Sequence, residues 1–222
     1  MKYGISSGAL WGLDTVILGF ALILLASLGG TRSALAAATL HDLFCALLLL
    51  VYMGIRGRLR ATLAALKTRS GKAVMGAAVL GGPLGMAGYL LAIENIGPGP
   101  AAIISSFYPA FGTLLAFLLL GERMKPRQIF ALFVALLGIA AMGWTSLSGG
   151  APGHVTIGVI GALAAVVGWG SEAVILAWGM RDEAVDNEVA LQIRETTSAL
   201  LYVLVVAPLA GILGPTAAAM FS

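Results

Sequence analysis

The sequence has 222 residues, of which 59% are hydrophobic and only 10% are charged, with a formal net charge of +3. A soluble domain carries roughly 25% charged residues because its surface must be wetted by polar groups. This composition therefore excludes an ordinary soluble protein and favours one dissolved in a lipid bilayer. The basic residues stand in short clusters between apolar runs, which is typical of cytoplasmic loops and not of a nucleic-acid-binding surface.

Seven apolar runs are long enough to cross a membrane as helices. Such a helix needs about 20 mainly apolar residues, since the hydrocarbon core is about 30 Å thick. Alternating ten-residue strands are absent from the sequence, so the predicted fold class is all-α integral membrane. The predicted spans cover residues 5–28, 34–55, 73–94, 99–120, 128–147, 156–180 and 190–213.

The basic residues indicate how these spans are oriented. Residues 56–72 contain six Arg and Lys residues and no acid, and residues 121–127 contain three basic residues. The loops between them carry almost no basic residue, with Arg32 as the exception. The positive-inside rule therefore predicts a cytoplasmic N-terminus and, with seven spans, an external C-terminus. We expect the membrane to be the inner (plasma) membrane. Residues 61–67 are predicted to form a short amphipathic turn at the membrane surface.

The first and sixth spans share the pattern W-G-x-acid-x-V-I-L, from Trp11 to Leu18 and from Trp169 to Leu176. This similarity predicts a five-helix repeat over residues 1–147 and the first two helices of a second copy, with a tail, over residues 148–222. Because five is odd, the second copy would be inverted, as in many secondary transporters. The second copy would lack its last three spans, so we expect the chain to be a fragment. The alternative is chance similarity between apolar helices.

Charged side chains within spans are the first candidates for function. Each costs at least about 2.5–3.5 kcal/mol at the bilayer centre, so such residues usually face a cavity, bind cations, relay protons or pair with each other. The candidates are Asp14, His41, Asp42, Glu172, Arg194 and Glu195.

Two of these carboxylates each follow a tryptophan by three residues, which places them on the same helix face. Trp11 with Asp14, and Trp169 with Glu172, could form an aromatic cage with negative charge, which suits a quaternary or primary ammonium group. In the alternative, the tryptophans are interfacial or packing residues. Asp14 could also form a structural ion pair with Arg194.

The second and seventh spans carry corresponding polar pairs, His41-Asp42 and Arg194-Glu195. Histidine titrates near neutral pH, so the first pair could carry a coupling proton, or the histidine could simply be hydrogen-bonded within the bundle.

Proline and glycine interrupt the third and fourth spans. Pro109 directly follows Tyr108, and a proline kink beside a tyrosine is typical of a helix that lines a site, although packing alone would also explain it. In the third span, the Gly81-Gly82-Pro83 run permits bending, and Tyr89 projects further along the same helix.

No pattern for enzymatic or cofactor chemistry is found. The sequence lacks a phosphate-binding glycine-rich loop, a metal-spaced His/Cys cluster and a nucleophile–base pair. We therefore expect neither an enzyme nor a metal or cofactor site. The seventh span has no lysine for a retinal Schiff base, which argues against a photoreceptor.

The run Leu-Leu-Gly-Glu-Arg-Met-Lys-Pro-Arg-Gln at residues 119–128 resembles the end of the EamA repeat of the drug/metabolite transporter superfamily. Other stretches resemble its bacterial choline-transporter branch; they lie at residues 38–42, 82–86, 106–109, 168–172 and 192–198. The resemblance implies ten spans in two inverted repeats and a trimethylammonium group bound by aromatic residues. The implied binding residues are Trp11, Tyr108, Trp169 and Glu172, with Tyr89 as a further candidate. Coupling to the proton gradient at His41 and Asp42 is also implied.

These observations predict a secondary active transporter of choline or a related ammonium solute, working by alternating access. Its expected partners are a small cationic solute, the proton, the lipid bilayer and, as a further option, a second copy of the chain. An exporter of amino acids or other metabolites is one alternative. A heptahelical sensor that binds without transporting is the alternative from another class.

Overall fold

The computed structural model describes residues 2–27, 33–121, 123–148, 153–181 and 185–213, and every regular element in these ranges is helical. Arg32 and residues 214–222 at the end of the predicted second repeat lie outside them. The first two spans are α1 (Lys2–Ser27) and α2 (Ser33–Ile55), followed by the short α3 (Leu59–Ala65) where an amphipathic turn was predicted. The last two spans are α9 (Val155–Gly179) and the helix that starts with α10 (Asn187–Leu201).

The third and fourth spans are interrupted helices. The third runs from α4 (Arg69–Val79) through a π-helical turn (Leu80–Met86) into α5 (Ala87–Ile96). The fourth breaks between α6 (Pro98–Ser105) and α7 (Tyr108–Leu120). Pro83 has no backbone N–H for the helical ladder, which accounts for a local π turn, and Pro109 lies in the first turn of α7. The predicted irregularities are therefore confirmed.

Six helical stretches of the described residues are long and apolar enough to span a membrane, when each interrupted span is counted as one stretch. The fifth predicted span is occupied by α8 (Pro126–Ser148), whose apolar stretch within the described residues is the shorter Pro126–Gly138. The seventh continues from α10 through a second π-helical turn (Tyr202–Val206) into α11 (Ala207–Ala210). The predicted all-α membrane fold is confirmed, with span boundaries within a few residues of those expected from hydropathy.

Hydrogen bonds and ion pairs between distant segments define the two ends of the bundle. At the end that carries α3, here called the basic end, Arg58 pairs with Asp186 and Glu188 at the start of α10. At the opposite end, the Asn95 side-chain oxygen accepts from the His154 backbone N–H at 3.0 Å. The end of α2 therefore meets the start of α10, and the end of α5 meets the start of α9, as alternating spans require.

The contact at the basic end is electrostatic. Burial would raise the pKa of the Asp186 carboxyl, but a hydrogen bond from the Val189 backbone N–H and the nearby Arg58 guanidinium hold it below its usual range. Asp186 also caps the N-terminus of α10, accepting from the backbone N–H groups of Glu188 and Val189. This carboxylate is therefore ionised at neutral pH and ties α10 to the basic loop.

Helix α9 is the centre of the bundle. It packs against α4, α5, α7 and the first π-helical turn. Small residues permit this close approach: a Cβ on Gly88 would lie 2.6 Å from the Gly161 carbonyl oxygen, and one on Gly168 would lie 2.6 Å from the Leu80 carbonyl oxygen. Helix contacts of this kind, made through glycine, are common where helices pack in lipid. The close packing carries Trp169 and Glu172 into the middle of the molecule.

Candidate functional site

Aromatic side chains from four predicted spans converge around Trp169. Its ring centroid lies 6.5 Å from that of Trp11, 5.1 Å from that of Tyr89 and 5.9 Å from that of Tyr108. The Trp11 and Tyr89 rings are stacked, with planes 27° apart. Trp169 instead meets Trp11 at 75° and Tyr108 at 82°. Rings that meet near right angles form two walls of a corner. The aromatic residues predicted from sequence therefore lie together, within 5.1–6.5 Å of Trp169.

A cavity of about 620 Å³ lies against three of these rings. This volume falls within the range of about 300–1,000 Å³ that is typical of small-molecule sites. The lining residues are Ser7, Gly8, Trp11, Ser106, Tyr108, Pro109, Trp169, Glu172, Ala173 and Leu176. Ser7 lies near the start of α1 and Leu176 in the last turn of α9, so this aromatic cavity occupies the half of the bundle nearer the basic end.

A second groove, of about 360 Å³, lies at the opposite end of the bundle between α1 and the junction of α5 with α6. Its lining is almost wholly apolar, with Ser33 and Glu94 as its polar members. None of the residues predicted to bind solute lines it. The aromatic cavity is therefore the better candidate for a binding site.

Two contacts with the first π-helical turn hold Trp169 in place. Its indole Nε1–H donates to the carbonyl oxygen of Gly81 at 3.0 Å. A side chain at Gly85 would start 2.6 Å from the indole ring, so only glycine leaves room for it. The orientation of Trp169 is thus fixed by the same irregular turn that the Gly-Gly-Pro sequence produces.

Tyr89 lies behind the cavity rather than in its wall. It is 1% exposed and stacks on Trp11 from the buried side. The Thr15 hydroxyl donates to the Trp11 carbonyl oxygen at 2.8 Å and therefore accepts from the Tyr89 hydroxyl. The structure places Tyr89 as a support for Trp11 and Trp169, and sequence reasoning missed Thr15 as its partner.

Asp14 does not line the aromatic cavity beside Trp11, contrary to the expected pairing of an indole and a carboxylate on α1. The buried face of α1 runs through Thr15, Leu18 and Leu22, which are 3–7% exposed. Asp14 is half-buried on the flank of that face. The corresponding residues on α9, Trp169 and Glu172, both line the cavity.

Arg194 pairs with Glu172 and Glu195, and the alternative ion pair with Asp14 is not formed. Its Nε donates to Glu172 Oε1 at 2.9 Å, and its Nη1 donates to Glu195 Oε1. Glu172 and Glu195 are both 8% exposed. A guanidinium with several donors in a rigid plane can hold two carboxylates at once, which a lysine ammonium does less well.

The His41-Asp42 pair joins this cluster from α2. His41 Nδ1 lies 2.9 Å from Asp42 Oδ1, and the Ser198 hydroxyl donates to Asp42 Oδ2. Asp42 is fully buried. The predicted coupling residues on α2 and α10 therefore lie together, next to the predicted binding residue Glu172. Ser198 was not singled out from sequence, although it stands one helical turn from Arg194.

The charges in this cluster do not balance. Three carboxylates, Asp42, Glu172 and Glu195, surround one guanidinium. The cluster has a net charge of −2 with His41 neutral and −1 with His41 protonated, and either excess favours a bound cation or a further proton. Among the residues that the structure describes, no group of three His, Cys, Asp or Glu side chains is arranged to hold a metal ion.

The sequence is similar to proteins of one transporter family. Residues 4–144 match the EamA-like transporter family. Over 103 residues the chain is 33% identical to Protein LicB of Haemophilus influenzae, an alignment that covers 46% of this chain and 35% of the relative. The chain thus matches about a third of the length of that relative. Since the family match covers more than half of the chain, this multi-pass membrane protein belongs to the EamA-like transporter family.

Proposed function

We propose that the protein is a secondary active transporter of choline or a closely related ammonium solute. The single observation that carries the proposal is the aromatic cavity, in which Trp11, Tyr108 and Trp169 surround a space that also contacts Glu172. A cation over an aromatic face gains about 0.5–2 kcal/mol, and more when it is desolvated. Three rings and a carboxylate therefore favour a positively charged solute over a neutral or anionic one.

The cavity favours a quaternary ammonium in particular. A primary ammonium needs hydrogen-bond acceptors for each N–H that leaves water, whereas a trimethylammonium group has no N–H donors. The oxygens of Glu172 already contact the Arg194 guanidinium, at 2.9 Å and 3.5 Å. A carboxylate engaged in this way still supplies negative potential but has fewer acceptor positions left for the N–H groups of a primary ammonium. This combination suits a bulky, weakly hydrated cation.

We place the solute between the predicted first repeat, residues 1–147, and the predicted partial second repeat, residues 148–222. Trp11 on α1 and Trp169 on α9 come from the two copies of the repeated motif, and their rings are 6.5 Å apart. Helix α1 runs away from the basic end while α9 runs toward it, as expected for inverted repeats. Rocking of one repeat against the other would expose such a site to each side of the membrane in turn.

The basic end is proposed to face the cytoplasm of a cell whose inner membrane holds the protein. A cysteine introduced at Leu63, which is 64% exposed on α3, tests this orientation in a Cys45→Ala background. A membrane-impermeant maleimide is expected to label it in inside-out vesicles and not in right-side-out vesicles. The opposite labelling pattern would reverse the proposed orientation.

Transport itself is tested by uptake of labelled choline into cells that lack their own choline transport and express this chain. The expected result is saturable uptake that an uncoupler of the proton gradient abolishes. Choline binding without accumulation would favour the sensor alternative. Release from preloaded cells that is faster than uptake would favour an exporter. A protein that neither binds nor moves choline would contradict the proposed substrate.

A further inference from the structure

Two side-chain oxygens on α10 are buried without a hydrogen-bond donor. Glu195 is 8% exposed, and its Oε1 accepts from Arg194 while its Oε2 has no partner in the described part of the chain. Gln192 is 1% exposed, and its amide nitrogen donates to the Thr196 hydroxyl at 2.6 Å while its Oε1 has no partner there either. Nearly all buried polar atoms in native proteins are paired, so two such atoms on one helix require an explanation.

The two oxygens belong to residues three positions apart, which share one face of a helix. With the Gln192 amide nitrogen turned toward Thr196, both oxygens are acceptors when Glu195 is ionised, so neither can satisfy the other. A protonated carboxyl group has one O–H donor, whereas a carboxylate has none. One proton on Glu195 Oε2 would make that atom a donor on the same helix face as the Gln192 amide oxygen, which lacks one.

Each oxygen of the other two carboxyl groups in the cluster has a partner, unlike Oε2 of Glu195. Asp42 accepts from Ser198 at one oxygen and contacts His41 Nδ1 at the other. Both oxygens of Glu172 contact the Arg194 guanidinium. The charged or titratable groups that interact electrostatically with Glu195 are Arg194 on its own helix and Asp42 and His41 on α2. Of the three carboxyl groups, Glu195 is therefore the one with an oxygen that has no partner in the described part of the chain.

We propose that Glu195 is the proton carrier of this transporter, with the amide oxygen of Gln192 as the acceptor of its O–H hydrogen bond. On release, the O–H bond at Oε2 breaks, the proton passes to water and the electron pair stays on the carboxylate, which Arg194 then neutralises. The role in transport rests on the proposed proton-coupled function, whereas the protonated state of Glu195 does not.

Infrared spectroscopy of the purified protein tests the protonated state without any solute. At neutral pH the parent is expected to show the C=O stretch of a buried carboxylic acid, shifted when the solvent is exchanged to D₂O. Glu195→Gln should remove this band, because glutamine keeps the shape and cannot hold the acid proton. Asp42→Asn, the matched control in the same cluster, should keep it. A band that survives Glu195→Gln, or one that only Asp42→Asn removes, would overturn the proposal.

A transport measurement in proteoliposomes tests the coupling. Glutamine at position 195 offers an N–H donor to Gln192 and so imitates the protonated state permanently. Glu195→Gln is expected to keep choline exchange at equal concentrations on both sides and to lose accumulation driven by an imposed pH gradient. Accumulation equal to that of the parent, or accumulation driven by sodium instead of protons, would overturn the carrier role. If the parent itself exchanges no choline, the proposed function fails while the infrared result still decides the state of Glu195.

Discussion

Replacing Trp169 with alanine is expected to weaken choline binding by about 2 kcal/mol or more, on the order of 30-fold. Trp169 contacts Trp11, Tyr89 and Tyr108, so its removal takes away one wall of the aromatic cavity and the support of the other walls. Quenching of the remaining tryptophan fluorescence by choline, or equilibrium dialysis with labelled choline, measures the change in affinity.

Trp178 supplies the matched control on the same helix. It is 44% exposed, lies outside the aromatic cavity, and its ring stacks with the Arg69 guanidinium at 4.6 Å from the centroid. Trp178→Ala is therefore expected to keep the affinity of the parent. An affinity for choline that is the same in Trp169→Ala as in the parent would rule out the aromatic cavity as the binding site.

Replacing Arg194 with alanine is expected to destabilise the folded protein by about 3–5 kcal/mol, because removal of one partner leaves buried charges uncompensated. Here the groups that lose their partner are the Glu172 carboxylate and the Glu195 carboxyl group, each 8% exposed. The measurement is the midpoint of thermal unfolding in detergent. Unfolding is monitored as the loss of the monodisperse peak in size-exclusion chromatography after heating.

Arg58→Ala is the control for Arg194→Ala, since Arg58 also pairs with two acids but does so at the exposed basic end. Surface ion pairs are screened by water and salt, so this change should lower the unfolding midpoint by much less. Adding Glu172→Gln to Arg194→Ala should restore part of the lost stability, because the unpaired charge of Glu172 is then gone. Equal midpoints for Arg194→Ala and the parent would contradict the buried ion-pair cluster.

The helices could be predicted from sequence because hydropathy over 20 residues is a strong local signal. The breaks beside Pro83 and Pro109 were also predictable from local sequence, because a proline disrupts its own helix through its missing N–H. The meeting of Trp11 with Trp169 followed from the repeated motif, which relates two distant segments without any knowledge of their packing.

Side-chain partners between helices could not be predicted in the same way. The choice of Arg194 between Asp14 and Glu172 depends on the rotation of α1, which is set by burial of Thr15, Leu18 and Leu22. The position of Tyr89 behind the cavity depends on its hydrogen bond to Thr15. The lack of a hydrogen-bond donor for Gln192 Oε1 and Glu195 Oε2 depends on the packing of the whole cluster. No sequence pattern within residues 192–198 indicates it.

The most direct test of the proposed site compares choline with its neutral carbon isostere, 3,3-dimethyl-1-butanol, for binding to the purified protein. The two molecules have nearly the same shape, so a difference in affinity reports the charge alone. Recognition by three aromatic rings and Glu172 predicts that choline binds and that the neutral isostere binds at least about 10-fold more weakly, as expected for a loss of 1.4 kcal/mol or more. Equal affinities for the two molecules would contradict a cation-binding cavity in this protein.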